Sequence, residues 1–359
     1  MVINMEIIIF IIIISIITSF ALTPLVIKFA NKFGYVDIPK DSRRVHSKPM
    51  PRIGGLAIVL SMFIALFAYY ILTKDIPSIS LNSKFTGYII GALVIFLMGI
   101  LDDMYNLRAR YKFIFQLVAA IIVCFFGLVI DTAKIPFIYT DLIDLGMFSI
   151  PITMIWVIGI TNAVNLIDGL DGLAAGISSI SSLALLIIFI TTSASLEAIV
   201  ITAVLFGATL GFLPFNFNPA KTFMGDVGSN FLGFTLSIVS ILGLAKGYTM
   251  LAIVAPILIL GVPIFDTLFA MVRRFLAGKP LLSPDGAHIH HRLLKKGFNQ
   301  KQSVIILYTI TSILCIIAVL IVSADIYKLI LLIVATIFFV ILGYITTIKK
   351  KEELKENKK

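Results

Sequence analysis

The chain has 359 residues, of which 59% are hydrophobic and only 13% charged, where soluble domains carry roughly a quarter charged residues. A soluble fold could not hide that much apolar surface, so the composition excludes one and makes the bilayer the solvent. The net charge of +10 does not call for nucleic acid, because membrane topology and attraction to anionic lipid account for it.

Apolar runs fall near 5–27, 53–72, 85–101, 113–130, 150–166, 173–192, 198–215, 228–245, 249–271, 303–323 and 328–347. Most are long enough to cross a hydrocarbon core of ~30 Å. The first has no basic flank and no small-residue cleavage site, so it reads as a retained span. The expectation is an all-α polytopic membrane protein with about eleven transmembrane helices. Residues 1–348 form a single membrane-embedded catalytic domain, and 349–359 a charged tail. The loops after the odd-numbered runs, together with the tail, hold 24 of the 29 Lys and Arg residues. The positive-inside rule makes that side cytoplasmic, with the N-terminus outside and the C-terminus inside. Cys124 and Cys315 each lie within an apolar run, which argues against a disulfide or a Cys-based metal site.

Charged groups in or at the edge of a bilayer are costly and default to a functional reading. Those in this chain gather on one predicted face. At the end of the third run stand Asp102 and Asp103, followed by Asn106. Adjacent carboxylates repel and need a cation or a proton between them, and Mg²⁺ is the natural partner of oxygen ligands and phosphates. The alternative is a solvated helix end countered by Arg108 and Arg110. At the end of the fifth run come Asn162, Asn165, Asp168, Gly169, Asp171 and Gly172. A continuing helix would place the polar four on one stripe. Between the seventh and eighth runs, Asn216, Asn218, Phe223, Gly225, Asp226 and Gly228 lead into a helix start. Free backbone N–H groups there would suit phosphate, and Phe223 could stack a flat base.

The largest predicted cytoplasmic loop carries His288, His290, His291 and Arg292, so three of the chain's four histidines fall within four positions. Without an HExxH motif or a Cys partner, the cluster beside Lys295 and Lys296 suits an anionic substrate better than zinc. The first loop, with Arg43, Arg44, Lys48, Arg52, Gly54 and Gly55, reads on its own as ordinary topology-setting charge. Asp266, seven residues before Arg273, would lie ~10 Å up a helix from the cytoplasmic end. A carboxylate there should face inward and support other residues of the site. Acids for Mg²⁺, bases for phosphate and an aromatic platform at a membrane surface describe a site for a charged phosphate donor and a lipid acceptor.

Asp102-Asp103, the segment from Asn165 to Gly172, Met224-Gly-Asp-Val-Gly-Ser229 and His288-Ile-His-His291 occur in one order across about 28–300. In this they resemble the polyprenyl-phosphate N-acetylhexosamine-1-phosphate transferases. The resemblance implies transfer of a sugar 1-phosphate from a UDP-activated amino sugar to undecaprenyl phosphate, with release of UMP and with Mg²⁺ (or Mn²⁺) as cofactor. It implies that Asp102, Asp103 and Asp168 are the essential acids and that Asp226 holds the metal. Asp171, Asn216 and Phe223 would meet the uracil end. Asn165, Lys48, Arg52 and the loop of His288, His290, His291 and Arg292 would meet the rest of the substrate. The peptidoglycan branch, acting on UDP-N-acetylmuramoyl-pentapeptide, typically carries three consecutive histidines, whereas here Ile289 interrupts them. That departure and the eleventh run resemble the branch that uses UDP-N-acetylglucosamine to start teichoic acid, O-antigen or similar polymers. The expected setting is the bacterial plasma membrane with the active site on its cytoplasmic face, and a homodimer is left open. Membrane prenyltransferases offer no role for the histidine loop, and a secondary transporter would place its acids nearer mid-membrane.

Overall fold

A computed structural model describes residues 5–37, 49–74, 82–133, 143–244, 251–278 and 288–322. Twelve α-helices make up nearly all of it. They are α1 (Met5–Phe33), α2 (Gly55–Thr73), α3 (Ser83–Tyr105), α4 (Ala109–Phe125), α5 (Ser149–Ile167) and α6 (Leu173–Thr191), then α7 (Leu196–Asn216), α8 (Gly225–Leu244), α9 (Leu251–Ile259), α10 (Gly261–Leu276), α11 (Ile289–Lys295) and α12 (Gln300–Val322). Among the described residues, eight helical segments are long and apolar enough to cross a membrane: α1, α2, α3, α5 with the short turn before it, α6, α7, α8 and α12. The chain is an all-α polytopic membrane protein. The eleventh predicted span, 328–347, and the charged tail lie outside the described residues.

The ninth predicted span, 249–271, is not one helix but two, α9 and α10, meeting at Leu260. Pro263 gives the reason: in an unbroken helix its ring would collide with the carbonyl of Ile259, and it has no N–H to donate. The second piece is amphipathic. Asp266, Ala270 and Arg274 face inward, while Phe265, Leu268, Phe269, Val272, Phe275 and Leu276 are exposed. The fourth predicted span, 113–130, is the 17-residue helix α4, which starts earlier and ends at Phe125.

Helix α8 sits at the centre, packed on α3 and α5, with α2, α6 and α7 beside it. Nearly every side chain from Val227 to Leu242 is buried. Helix α1 lies outside α7, where Ser15 and Ser19 donate to the carbonyls of Val204 (2.8 Å) and Ala208 (2.7 Å). Such hydroxyls satisfy themselves on a neighbouring helix where no water is at hand. The outer face of α1 shows Ile9, Ile13, Ile17 and Phe20 to its surroundings, as a lipid-facing surface should.

One short pairing closes the end of the bundle that carries the acids. Strand β1 (Val36–Asp37) runs antiparallel to β2 (Met50–Pro51). From β2 the chain zips onto the approach to α8. Phe223 N–H donates to Pro51 O at 2.8 Å, Gly54 N–H to Phe223 O at 2.9 Å and Gly55 N–H to Met224 O at 2.7 Å. A methyl group at position 55 would overlap the backbone of Gly228. The Gly54-Gly55 pair is therefore a contact between backbones, in a loop whose sequence alone suggested only topological charge.

Candidate active site

Asp102 and Asp103 lie in the last turn of α3, and within the protein they take different partners. Successive helical side chains diverge, and each finds its own partners. Asp103, on the α8 side, accepts from the backbone N–H groups of Asp226 (3.0 Å) and Val227 (3.1 Å). It caps the first turn of α8, where the helix dipole also favours a negative charge. Those N–H groups, expected to be free for phosphate, are thereby occupied. Arg52 approaches Asp103 at 3.8 Å and donates to Asn106 at 3.2 Å. Asp102 turns the other way, accepts from Leu107 N–H at 2.8 Å, and forms an ion pair with Lys112 of α4.

Lys112 reaches a second carboxylate, Asp226, at 3.5 Å. One ammonium thus serves two acids from different helices. Arg108 and Arg110 are exposed, and the counter-ion to Asp102 is this lysine. The sequence reading counted Lys112 only as a topology charge. Its signal was there, a lone lysine at the start of an apolar run, but its partners lie on α3 and α8. The other oxygen of Asp226 accepts from Asn165 at 2.5 Å and from Asn230 at 3.3 Å, and Asn165 also donates to Ser229 at 2.8 Å.

Helix α5 stops at Ile167, and Asp168 to Gly172 form a turn into α6. The expected single helical stripe is therefore broken. Asn162 lies deeper, bonded to Gln116 of α4 at 2.7 Å, while Asn165 and the turn face the cavity. Gly172 has φ of +80°, a conformation glycine adopts without strain, and Tyr308 of α12 donates to its carbonyl. Asp168, just beyond α5, has its carboxyl raised to about 8 by burial, with the charges of Asp226, Asp103 and Asp171 adding to the effect. Asp171 accepts from Asn218 (2.9 Å) and from Ala220 N–H (3.2 Å), which ties the turn to the loop before α8. Buried Asn216 donates to Thr222 O at 3.0 Å and keeps an unpartnered oxygen.

The histidines divide. His288 is buried against Asp266 of α10 (Nδ1 to carboxylate, 2.9 Å). His290 is buried over Gly169, where a methyl group would overlap its ring. Burial, with His291 nearby, lowers its pKa to about 4, so it is neutral at physiological pH. His291 lines the cavity, and Arg292 is exposed and does not. Lys48 lies outside the described residues.

The cavity has a volume of about 890 Å³. Its wall includes Arg52, Asp103, Lys112, Asn165, Asp168, Asp171, Asn216, Phe223, Asp226 and His291. Five stretches separated in sequence therefore meet at one end of the bundle. Asp102, His288 and His290 stand behind that wall. Among the described residues no three His, Cys, Asp or Glu side chains converge into a ready-made metal set. What the wall offers is carboxylate and amide oxygen, and two of the acids already share the Lys112 cation. Such a site fits Mg²⁺, which binds through one or two carboxylates and completes its shell with water and substrate phosphates.

Residues 85–244 match the glycosyl transferase family 4. The chain is 44% identical over 335 residues, 93% of its length and 90% of the relative's, to a Bacillus subtilis protein named "Probable undecaprenyl-phosphate N-acetylglucosaminyl 1-phosphate transferase". It is 31% identical to the Thermotoga maritima undecaprenyl-phosphate alpha-N-acetylglucosaminyl 1-phosphate transferase, covering 78% of this chain and 80% of that one. It is 30% identical to a phospho-N-acetylmuramoyl-pentapeptide-transferase of a Wolbachia from Brugia malayi, covering 84% of this chain and 94% of that one. With the motifs, the membrane fold and the polar cavity already in place, these likenesses make the chain a member of the polyprenyl-phosphate N-acetylhexosamine-1-phosphate transferase family, enzymes that transfer a sugar phosphate to a polyprenyl phosphate.

Proposed function

We propose that this chain transfers N-acetylglucosamine 1-phosphate from UDP-N-acetylglucosamine to undecaprenyl phosphate and releases UMP, at the cytoplasmic face of a bacterial plasma membrane. The observation that carries the reading is one cavity that brings Asp168, Asp171 and Asp226 together with the cations Arg52 and Lys112. The volume of about 890 Å³ lies within the usual range for ligand pockets. The Bacillus relative's name gives an undecaprenyl-phosphate acceptor and an N-acetylglucosaminyl 1-phosphate group, which supports the UDP-linked form of that sugar as donor. The positive-inside count supports the cytoplasmic face.

In this reaction an oxygen of the lipid phosphate attacks the sugar-bearing phosphorus. A new P–O bond forms, the bond to the bridging oxygen breaks, and UMP leaves with that oxygen. Transfer of this kind depends mainly on positioning and charge neutralisation. A phosphate monoester has a second pKa of about 6, so the acceptor is largely ionised at neutral pH and makes little demand on a general base. Lys112 and Arg52 supply fixed positive charge to the diphosphate. Asp102 acts from behind by holding Lys112 in place, and Asp103 by holding the first turn of α8. Asp171 and Asn216 stiffen the loop that carries Phe223 toward the nucleoside. Mg²⁺, or Mn²⁺ in its place, would be held by Asp226 with help from Asp168, and would supply charge stabilisation on the diphosphate and on departing UMP. The product, a lipid-linked sugar diphosphate, calls for a further glycosyl transfer that builds a surface polymer.

The Wolbachia relative keeps the muramoyl-pentapeptide donor as the second reading, against which stands the interrupted histidine run. Purified protein should release UMP from UDP-N-acetylglucosamine only when undecaprenyl phosphate is present. Chelation of divalent metal should abolish release, and Mg²⁺ should restore it. Equal or faster turnover of the muramoyl-pentapeptide donor would overturn the assignment of donor.

A further inference from the structure

Asp266 has no place in the cavity wall, yet its carboxylate is spent entirely on the residues that shape one side of it. It sits on the inward face of α10 and is 4% exposed. One oxygen accepts from the backbone N–H of Ile289, the first residue of α11, at 2.8 Å. The other meets Nδ1 of His288 at 2.9 Å. A carboxylate accepts, so Nδ1 carries the proton and the ring is held in one tautomer and one orientation. From His288 the contacts continue. Its ring is parallel to that of His290, with centroids 5.8 Å apart and planes at 4°. His290 lies over Gly169, in the turn that presents Asp168. The next residue, His291, is itself part of the wall, with its ring 4.2 Å from that of His290.

We propose that Asp266 is a positioning residue for the donor side of the cavity. By fixing His288 and the start of α11 it sets where His291 stands and where the Asp168-Gly169 turn rests. The half of the broken ninth span that carries Asp266 is thereby tied to donor binding. This rests on the donor reading above. A buried carboxylate kept only for stability would leave the substrate constants alone once the protein has folded.

Asp266→Asn separates these roles. The amide oxygen still accepts from Ile289 N–H, but the amide nitrogen can only donate to Nδ1, which drives His288 into the opposite tautomer. The expected result is a rise in KM for UDP-N-acetylglucosamine of about tenfold, by analogy with the lower end of what loss of a supporting hydrogen bond costs at metal-ligating histidines. KM for undecaprenyl phosphate should be unchanged, and Asp266→Glu should recover part of the loss. His288→Gln tests the same link from its other end. If Asp266 acts through His288, the double variant should be no worse than the more impaired single variant. An unchanged donor KM in both single variants, an equal rise in acceptor KM, or independent and multiplying effects in the double variant would overturn the proposal. Wild-type protein that turns over only the muramoyl-pentapeptide donor would correct the donor reading instead, and the same comparison would then be made with that donor.

Discussion

Asp103 both lines the cavity and caps the start of α8, and Asp103→Asn distinguishes capping from direct contact with substrate or metal. Its carboxylate takes two backbone N–H groups at the start of α8, at 3.0 and 3.1 Å. Asparagine keeps one acceptor oxygen and turns an NH₂ toward the other N–H, which loses its partner. An unsatisfied buried donor costs about 1–3 kcal/mol, and loss of the negative charge at the helix start adds about 0.3–2 kcal/mol. The middle of those ranges gives a destabilisation of about 3 kcal/mol, concentrated in the turn that carries Asp226. Asp103→Ala leaves both N–H groups bare and should cost more. Thermal unfolding in detergent would read the order wild type, then Asn, then Ala. UMP release should fall in the same order, with partial recovery at lower temperature as the turn re-forms. If Asp103→Asn melts like wild type yet has no activity at any temperature, Asp103 acts on substrate or metal directly and the capping argument is wrong.

Three further outcomes follow from the same geometry. Lys112→Met removes the ammonium shared by Asp102 and Asp226 and should lower kcat by about 10²–10³-fold, as losing a charge-stabilising donor does; UMP-release kinetics would show it, and Lys112→Arg should recover part. Gly169→Ala drives a methyl into the His290 ring and should cost about 1–3 kcal/mol as overpacking, whereas Gly159→Ala, with open space around it, should melt and turn over like wild type. Asp168 is raised to about 8 in the fold, so between the unfolded value of about 3.9 and 8 the folded state binds more protons than the unfolded one. Stability therefore falls as pH rises through that window. Melting temperatures at pH 6 and pH 8 should drop less in Asp168→Asn than in wild type, and an equal drop would remove Asp168 as the source.

Much of this was legible in the sequence because a bilayer imposes its own grammar. Apolar runs of fixed length located most of the helices, and the acids fell together at one predicted face. The sequence could not reveal partner identity. Lys112 looks like any topology-setting lysine until α3 and α8 bring Asp102 and Asp226 to it. Asp103 looks like half of a cation-binding pair until Asp226 and Val227, more than a hundred residues later, present their N–H groups to it. The break at Leu260 was encoded locally, in Pro263, but a run of apolar residues masks such a break. The three histidines share a loop in sequence, yet His288, just before α11, and His290 within it turn inward and only His291 lines the cavity. That division depends on Asp266 and Gly169, which flank the loop from separate elements.

The polar residues below the acids explain why the asparagines of α5 recur at a helical interval although only one of them reaches the cavity. Asn165 holds the Asp226 carboxylate directly. Asn162, one turn deeper, bonds Gln116, and Gln116 donates to Asn230 at 3.2 Å. Asn230 donates back to the backbone and side chain of Asp226. Three helices, α4, α5 and α8, are therefore joined by side-chain amides within an apolar bundle. Buried amides are costly unless paired, and pairing them fixes each rotamer. The same helix α4 carries Lys112 one turn above Gln116, so the network that orients one oxygen of Asp226 also sets the height of the ammonium that reaches the other. The position of Asp226 is thus determined from both sides before any substrate arrives. Groups already oriented need not reorganise during a reaction, so a fixed Asp226 and Lys112 suit the proposed transfer.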